Sequence, residues 1–334
     1  MAQTAQFTTM EAAADYIGNG TLQVPEFDPV ITDIVRRSSV ALQRIKSSPA
    51  TGQPHRYFEQ TAIATATFTS SGGQGSSAIA PTPSGPTRVE RSAFVKALTA
   101  QTNISLLDKM VTQQQKRFAS VVAQDIEDNV SAIERLRGAA LWNGNDTSLT
   151  TPTTTQYVGL LTQITQQATV APGASIIDGL KAAVAQMVGN AAYVVKPTAI
   201  YVNPILGDYI DREAKAGQIT LTDIEVVSGV VVKGIATQAG ILPLVGDAFL
   251  PMASGAAYGF SAPPAGFNNY FAVILMEEMV EMPYVSGETE NPNPMVFQLG
   301  LTGNLSGQYV AVKFDSVIAK GAGYAHYVVA VQRP

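Results

Sequence analysis

The sequence predicts an α+β chain: a compact α/β middle flanked by parts with too little apolar surface to fold alone. Three observations predict it. Residues 56–98 alternate as a Thr/Ala-rich hairpin, residues 104–142 read as one long amphipathic helix, and residues 175–245 alternate helix with strand before further strands return. A chain of 334 residues with 46% hydrophobic content has enough length for a large core. Only 14% of it is charged, against roughly 25% in an average soluble domain. A surface so poor in charge is expected to lie partly against other chains.

Composition also excludes chemistry. With no cysteine there is no disulfide framework, thiolate zinc site or cysteine nucleophile. With only His55 and His326, a three-histidine metal site is excluded. A net charge of −5 gives no general basic field for nucleic acid. Met1–Met10 contains no Lys or Arg and no apolar run follows, so no export signal is expected. The longest apolar run, Tyr270–Met276, is far short of the roughly 20 residues of a membrane helix. A soluble intracellular product is the expectation.

The elements follow in order. Residues 1–35 carry Glu11, Asp15, Glu26, Asp28 and Asp33 with no positive charge and read as an extended arm. Apolar positions 31, 34, 35, 42 and 45 predict a short helix over Val30–Lys46, stopped at Ser47-Ser48-Pro49. Tyr57–Thr69 and Thr87–Val95 alternate around a polar tip at Ser70–Ser77, which predicts a long hairpin. A lone hairpin is marginal in water, so its partner is expected to be another chain. Leu107, Val111, Phe118, Val122, Ile126, Val130, Ile133, Leu136 and Ala140 form one stripe on the long helix. Lacking a sustained heptad, it reads as a spine under a sheet. Ser175 caps a helix over Ile176–Val188, and Asn203-Pro204 opens another that Gly217 closes. Strands are expected at Ala199–Val202, Ile224–Lys233, Ile241–Val245 and Tyr270–Met282, and near 295–301 and 308–318. Residues 234–312 contain no Lys or Arg.

No catalytic, cofactor or metal site is expected. Glu277, Glu278 and Glu281, with Glu288 and Glu290 beyond, could serve acid/base chemistry. On a strand, however, Glu277 and Glu278 face opposite sides, and a solvated or interface-facing acidic strand end is the preferred reading. Asn143-Gly144-Asn145-Asp146 lacks calcium-loop spacing and reads as a tight turn. His326 has no Gly-x-Ser-x-Gly partner and reads, like His55, as a surface or half-buried residue. Gly72-Gly73-Gln74-Gly75 is not a phosphate loop. Arg36, Arg37, Arg44 and Lys46 are either a nucleic-acid contact or the partner of the acidic arm.

The succession of parts resembles the major capsid protein of tailed bacteriophages, the Hong Kong 97-type fold. Its carriers are the hairpin from Arg56, the helix ending Gly138-Ala139-Ala140-Leu141-Trp142-Asn143-Gly144, and Tyr157-Val158-Gly159-Leu160-Leu161. Ala199-Ile200-Tyr201-Val202-Asn203-Pro204, Val231-Val232-Lys233-Gly234-Ile235 and Leu250-Pro251 continue it. The resemblance implies an arm and short helix over 1–55 and an extended loop over 56–98. It further implies a peripheral domain from 99–146 and 263–334, and an axial domain over 147–262. It also implies self-assembly through pentamers and hexamers into an icosahedral virion shell, built in the bacterial cytoplasm around weakly contacted double-stranded DNA. Separate scaffolding, portal and cement proteins are the expected partners, with no membrane and no cofactor. Some relatives weld the shell by a lysine–asparagine bond from the loop. No lysine lies between Lys46 and Lys96, so a non-covalent shell is expected. Met1, opening directly on the arm, favours a separate scaffold. A cellular nanocompartment shell of the encapsulin type is the alternative; a carboxylate-dependent hydrolase and a surface-layer or tail protein rank below it.

Overall fold

The structure, a computed structural model, describes residues 38–66, 84–115, 121–217, 221–227, 230–286, 291–302 and 306–334. The arm at 1–35, Arg36, Arg37, the hairpin tip at 70–77, Phe118, Glu288 and Glu290 lie outside them. The chain begins with helix α1 (Val40–Arg44), β1 (Lys46–Pro49), the hairpin strands β2 (His55–Ala62) and β3 (Thr87–Ala93), and β4 (Lys96–Ser105). Helices α2 (Leu106–Gln115), α3 (Val121–Asn143) and α4 (Leu160–Gln163) follow, then β5 (Gln167–Val170) and α5 (Ile176–Val188). Next come β6 (Ala199–Val202), α6 (Pro204–Ala216), β7 (Thr222–Val227), β8 (Val230–Thr237), β9 (Gly240–Gly246) and β10 (Met252–Ala253). Strands β11 (Asn268–Leu275), β12 (Val280–Val285), β13 (Met295–Thr302), β14 (Ser306–Asp315), β15 (Ile318–Ala319) and β16 (Tyr327–Arg333) complete it.

The larger sheet runs β5-β16-β11-β6-β9-β8-β7, with β10 on β11. Its centre is apolar on both faces, as a sheet covered on both sides requires. Ile200, Val202, Tyr270, Ala272, Ile274, Val329 and Val331 face α5 and α6, meeting Leu180, Val184, Leu206 and Ile210. The alternate residues Tyr201, Phe271, Val273, Leu275, Val328 and Ala330 face the second core, with Trp142, Leu160, Leu161 and Leu250. Helices α5 and α6 sit where their caps predict: Ser175 accepts the Asp178 N–H and Asn203 accepts the Ile205 N–H.

The smaller sheet runs β1-β12-β14-β13, with β15 on β12 and β4 on β14. Strand β4 pairs along the whole of β14, from Ser105 opposite Ser306 to Lys96 opposite Asp315. Helix α3 packs beneath this sheet through Ile133 beside Leu98, Met282 and Ala311, and its end, Leu141-Trp142, enters the core of the larger sheet.

Several sequence expectations are corrected. The strand expected over Tyr270–Met282 breaks at a 3₁₀ turn, Glu277–Met279, so β11 belongs to the larger sheet and β12 to the smaller. Polar groups cause the break: Glu277 is drawn to Arg44, Thr198 and Tyr201, and the Met276 N–H turns to His326. The strand expected over Ile224–Lys233 is the antiparallel pair β7–β8. The short helix ends at Arg44, and Lys46–Pro49 instead pairs in parallel with β12. Of the expected spine, Leu106–Gln115 (α2) and Val121–Asn143 (α3) are helical, residues 116–120 lie outside the described residues, and only residues 104 and 105 differ, belonging to β4. Strand β11, expected to pack with the spine, hydrogen-bonds into the larger sheet between β6 and β16, a strand not expected from the sequence. The expected 263–334 segment therefore divides between both sheets.

Candidate assembly surfaces and their anchors

Two segments are tied to the rest of the chain by carboxylates. The first is a strap, residues 38–49. At its start, Asp247 accepts hydrogen bonds from Ser39 Oγ, from the Ala41 N–H at 3.4 Å and from Trp142 Nε1 at 3.2 Å. In its middle, Arg44 grips Glu277 through two nitrogens at 2.6 and 2.9 Å. Thr198 donates to the same carboxylate at 3.0 Å, and so does Tyr201. Burial pushes the Glu277 pKa up, but the hydrogen bonds from Arg44 and Tyr201 outweigh it and hold the group ionised below its usual range. At the strap's end, Ser48 donates to Glu281, which also pairs with Lys320. Burial likewise opposes ionisation of Glu281, and the bonds from Lys320 and Ser48 prevail.

The second segment is the hairpin, with His55 opposite Ala93 and Ala62 opposite Thr87. Arg56 pairs with Glu90 at 3.0 Å, and Arg91 with the buried Glu59 at 2.5 Å. At the root Tyr57 and Ala93 pack on Ile318, with Leu149 beside them. Burial pushes the Tyr57 hydroxyl up to about 12. On β2 and just beyond it, Phe58 at 71% and Ile63 at 78% exposure are apolar side chains left uncovered among the described residues.

Buried ion pairs fix the frame behind these segments. Arg137 of α3 pairs with Asp315 at 2.8 Å and Glu134 at 2.6 Å, and Lys313 reaches Glu134 at 3.4 Å. Tyr157 donates to Asp315. Burial drives the Tyr157 pKa well above its usual value, so it stays a donor. Just after the spine helix, Asp146 ties β4 to the following loop by accepting Lys96 Nζ at 2.7 Å, the Thr147 N–H at 2.8 Å and the Thr153 N–H and hydroxyl at 3.0 Å. Burial opposes the ionised form of Asp146, and these bonds overcome it, holding its pKa well below the usual range.

The carboxylates read from sequence do not converge. Of the acidic end read as solvated or interface-facing, Glu278 is exposed, whereas Glu277 and Glu281 are spent in separate ion pairs within the chain. His326 is fully buried rather than surface or half-buried. Its Nδ1 accepts the Met276 N–H at 3.4 Å and its Nε2 donates to the Lys320 carbonyl at 3.0 Å, a neutral tautomer with no nucleophile beside it. Burial lowers its pKa to about 4. His55 is half-buried at the hairpin root. Arg44 is the partner of Glu277, while Lys46 is exposed. The stripe expected to be buried on the spine is partly open: Leu107 is 71% and Leu136 50% exposed, and Val111 is exposed too. Among the described residues no group of His, Asp or Glu could hold a metal, and no helix is long and apolar enough to cross a membrane.

Among the described residues, apolar side chains stand exposed on the hairpin and spine and the carboxylates are spent in ion pairs, a surface suited to meeting other chains. The family model of the SU10 major capsid protein matches residues 3–285. The chain belongs to the SU10 major capsid protein family. Solved structures share the fold of this capsid protein. The encapsulin SrpI from Synechococcus elongatus PCC 7942 has a TM-score of 0.61 at 13% identity, covering 97% of this chain and 96% of that one. The head of Helicobacter pylori bacteriophage KHP40 has a TM-score of 0.61 at 10% identity, covering 99% of each. The capsid of a native GTA particle has a TM-score of 0.61 at 12% identity, covering 95% and 98%. No curated protein matches. The expected Hong Kong 97-type fold and capsid function hold: this is a structural shell protein of the virion that assembles with its own copies, not an enzyme.

Proposed function

We propose that this capsid protein forms an icosahedral shell around the double-stranded DNA of a tailed phage, held by non-covalent contacts alone. In this reading the unit around the larger sheet, centred on 147–262 and completed by β11 and β16, is the axial domain. The smaller sheet with α3 is the peripheral domain, and the hairpin and the arm beyond Ser38 lie across neighbouring copies. The observation that supports it is the hairpin with Phe58 and Ile63 exposed, in a chain that matches a capsid family over residues 3–285. The non-covalent part is supported by the lysines that flank the hairpin: Lys46 lies on the strap, and Lys96 Nζ is held by Asp146 at 2.7 Å and the Thr154 carbonyl at 2.6 Å. A scaffolding protein, a portal and a cement protein would complete the particle, assembled in the host cytoplasm.

Purified particles test this directly. After boiling and reduction they should run as a single band at the 35.2 kDa of the chain; covalent ladders would refute the non-covalent reading. Nuclease-protected DNA inside the particles is the expected content. The fold shared with SrpI encapsulin favours the second reading, a nanocompartment, and a protein cargo without DNA would decide for it.

A further inference from the structure

The strap and the hairpin converge on one turn, residues 318–325, and we propose that Lys320 couples them so that they keep a fixed relative orientation. The hairpin has few other holds. A cleft of about 1000 Å³, lined by Arg56, Glu90, Ser148, Gln163 and Tyr193 among others, separates much of its root from the body. Its ties are the packing of Tyr57 and Ala93 on Ile318 and Leu149, the Phe94 N–H to the Leu149 carbonyl at 3.1 Å, and Glu59. Glu59 accepts the Gly321 N–H at 2.9 Å while also pairing with Arg91. Gly321 has φ +68°, and a Cβ there would lie 2.8 Å from the Tyr324 ring, so the N–H that meets Glu59 is set by a backbone shape only glycine adopts easily.

Lys320 precedes that glycine and is held at every polar group. Its N–H donates to the Met279 carbonyl at 2.8 Å, and its carbonyl accepts His326 Nε2 at 3.0 Å. Its ammonium pairs with Glu281, the carboxylate that takes the strap's Ser48, and lies 5.6 Å from the centroid of the hairpin's Tyr57 ring. One side chain thus touches the anchor of one segment and the root of the other. A shift of the strap that pulls Glu281 displaces Lys320, and with it the Gly321 N–H that pins Glu59. Such coupling would let the arm and the hairpin be presented to neighbours as a unit, a use that rests on the proposed shell.

Hydrogen exchange of the full-length protein, compared between variants in the same assembly state, tests the coupling whether or not shells enclose DNA. Lys320→Met should speed exchange in β1 and in β2–β3 together by about tenfold, leaving β6, β11 and β16 unchanged. Glu59→Gln should speed the hairpin alone. Acceleration of only one segment by Lys320→Met, or of neither, overturns the proposal. Should Lys320→Met fail to fold, Glu281→Gln decides: faster hairpin exchange supports the coupling, and an unchanged hairpin overturns it.

Discussion

Replacing His326 with glutamine should remove a pH dependence of stability that the buried ring imposes. The ring is neutral, with its Nδ1 accepting from Met276 and its Nε2 donating to Lys320, and burial holds its pKa at about 4 against an ordinary 6.5. The unfolded chain therefore takes up a proton as pH falls below about 6.5 that the folded chain refuses until about 4. Stability tied to the neutral ring is complete above the unfolded pKa and declines through that window. With about 1.4 kcal/mol for each pKa unit, the loss amounts to roughly 2.5 kcal/mol near pH 4.5 and roughly 3.5 kcal/mol at its limit. Urea unfolding of both proteins, followed by Trp142 fluorescence, would be compared at neutral pH and near pH 4.5. Glutamine lacks the titration, so wild type should exceed the variant at neutral pH and give up about 2.5 kcal/mol of that advantage in acid. Other carboxylates titrate in both proteins and cancel. An unchanged difference at the two pH values would refute a buried neutral histidine here.

Further substitutions probe the anchors. Glu277→Gln leaves Arg44 without its bidentate partner and should cost about 3 kcal/mol in urea unfolding, with proteolytic nicking in residues 38–49 ahead of the body. Asp315→Asn removes the buried one of the two carboxylates that pair with Arg137, leaving Glu134, and should cost about 3 kcal/mol, read as a lowered unfolding midpoint. Gly144→Ala places a Cβ 2.4 Å from the Tyr157 carbonyl oxygen and 2.9 Å from that of Ala140. Overpacking against backbone should destabilise by about 1–3 kcal/mol, visible as a lower thermal midpoint, whereas Gly255→Ala, which meets nothing within 4 Å, should be close to neutral.

What could be read from sequence follows the range of the forces involved. Helices α5 and α6 were legible because Ser175, Asn203-Pro204 and Gly217 act within a few residues of the bonds they make. The hairpin was legible through its alternation. Strands β4 and β16 are not legible, since β4 is defined by its pairing with β14, two hundred residues away, and β16 is a short apolar run that periodicity alone does not tell from a buried helix segment. The break after Leu275 escaped because apolar residues resume at Met279-Val280 beyond Glu277-Glu278, so the stretch still reads as one strand, and the cause of the break, Arg44, is 233 positions distant. That same separation hid the role of Glu277, although the basic run around Arg44 was a visible half of the pair. His326 escaped for want of a local signal beyond the apolar Tyr327–Val331 that follows it. The spine stripe misled at Leu107 and Leu136 because periodicity identifies a face to be covered without saying which chain covers it.

Electron microscopy of the purified protein measures the central claim most directly. Closed, icosahedral shells, with the hairpin of one copy lying on the next, are the predicted result. Monomers alone, under every condition of concentration, salt and added scaffold, would contradict it.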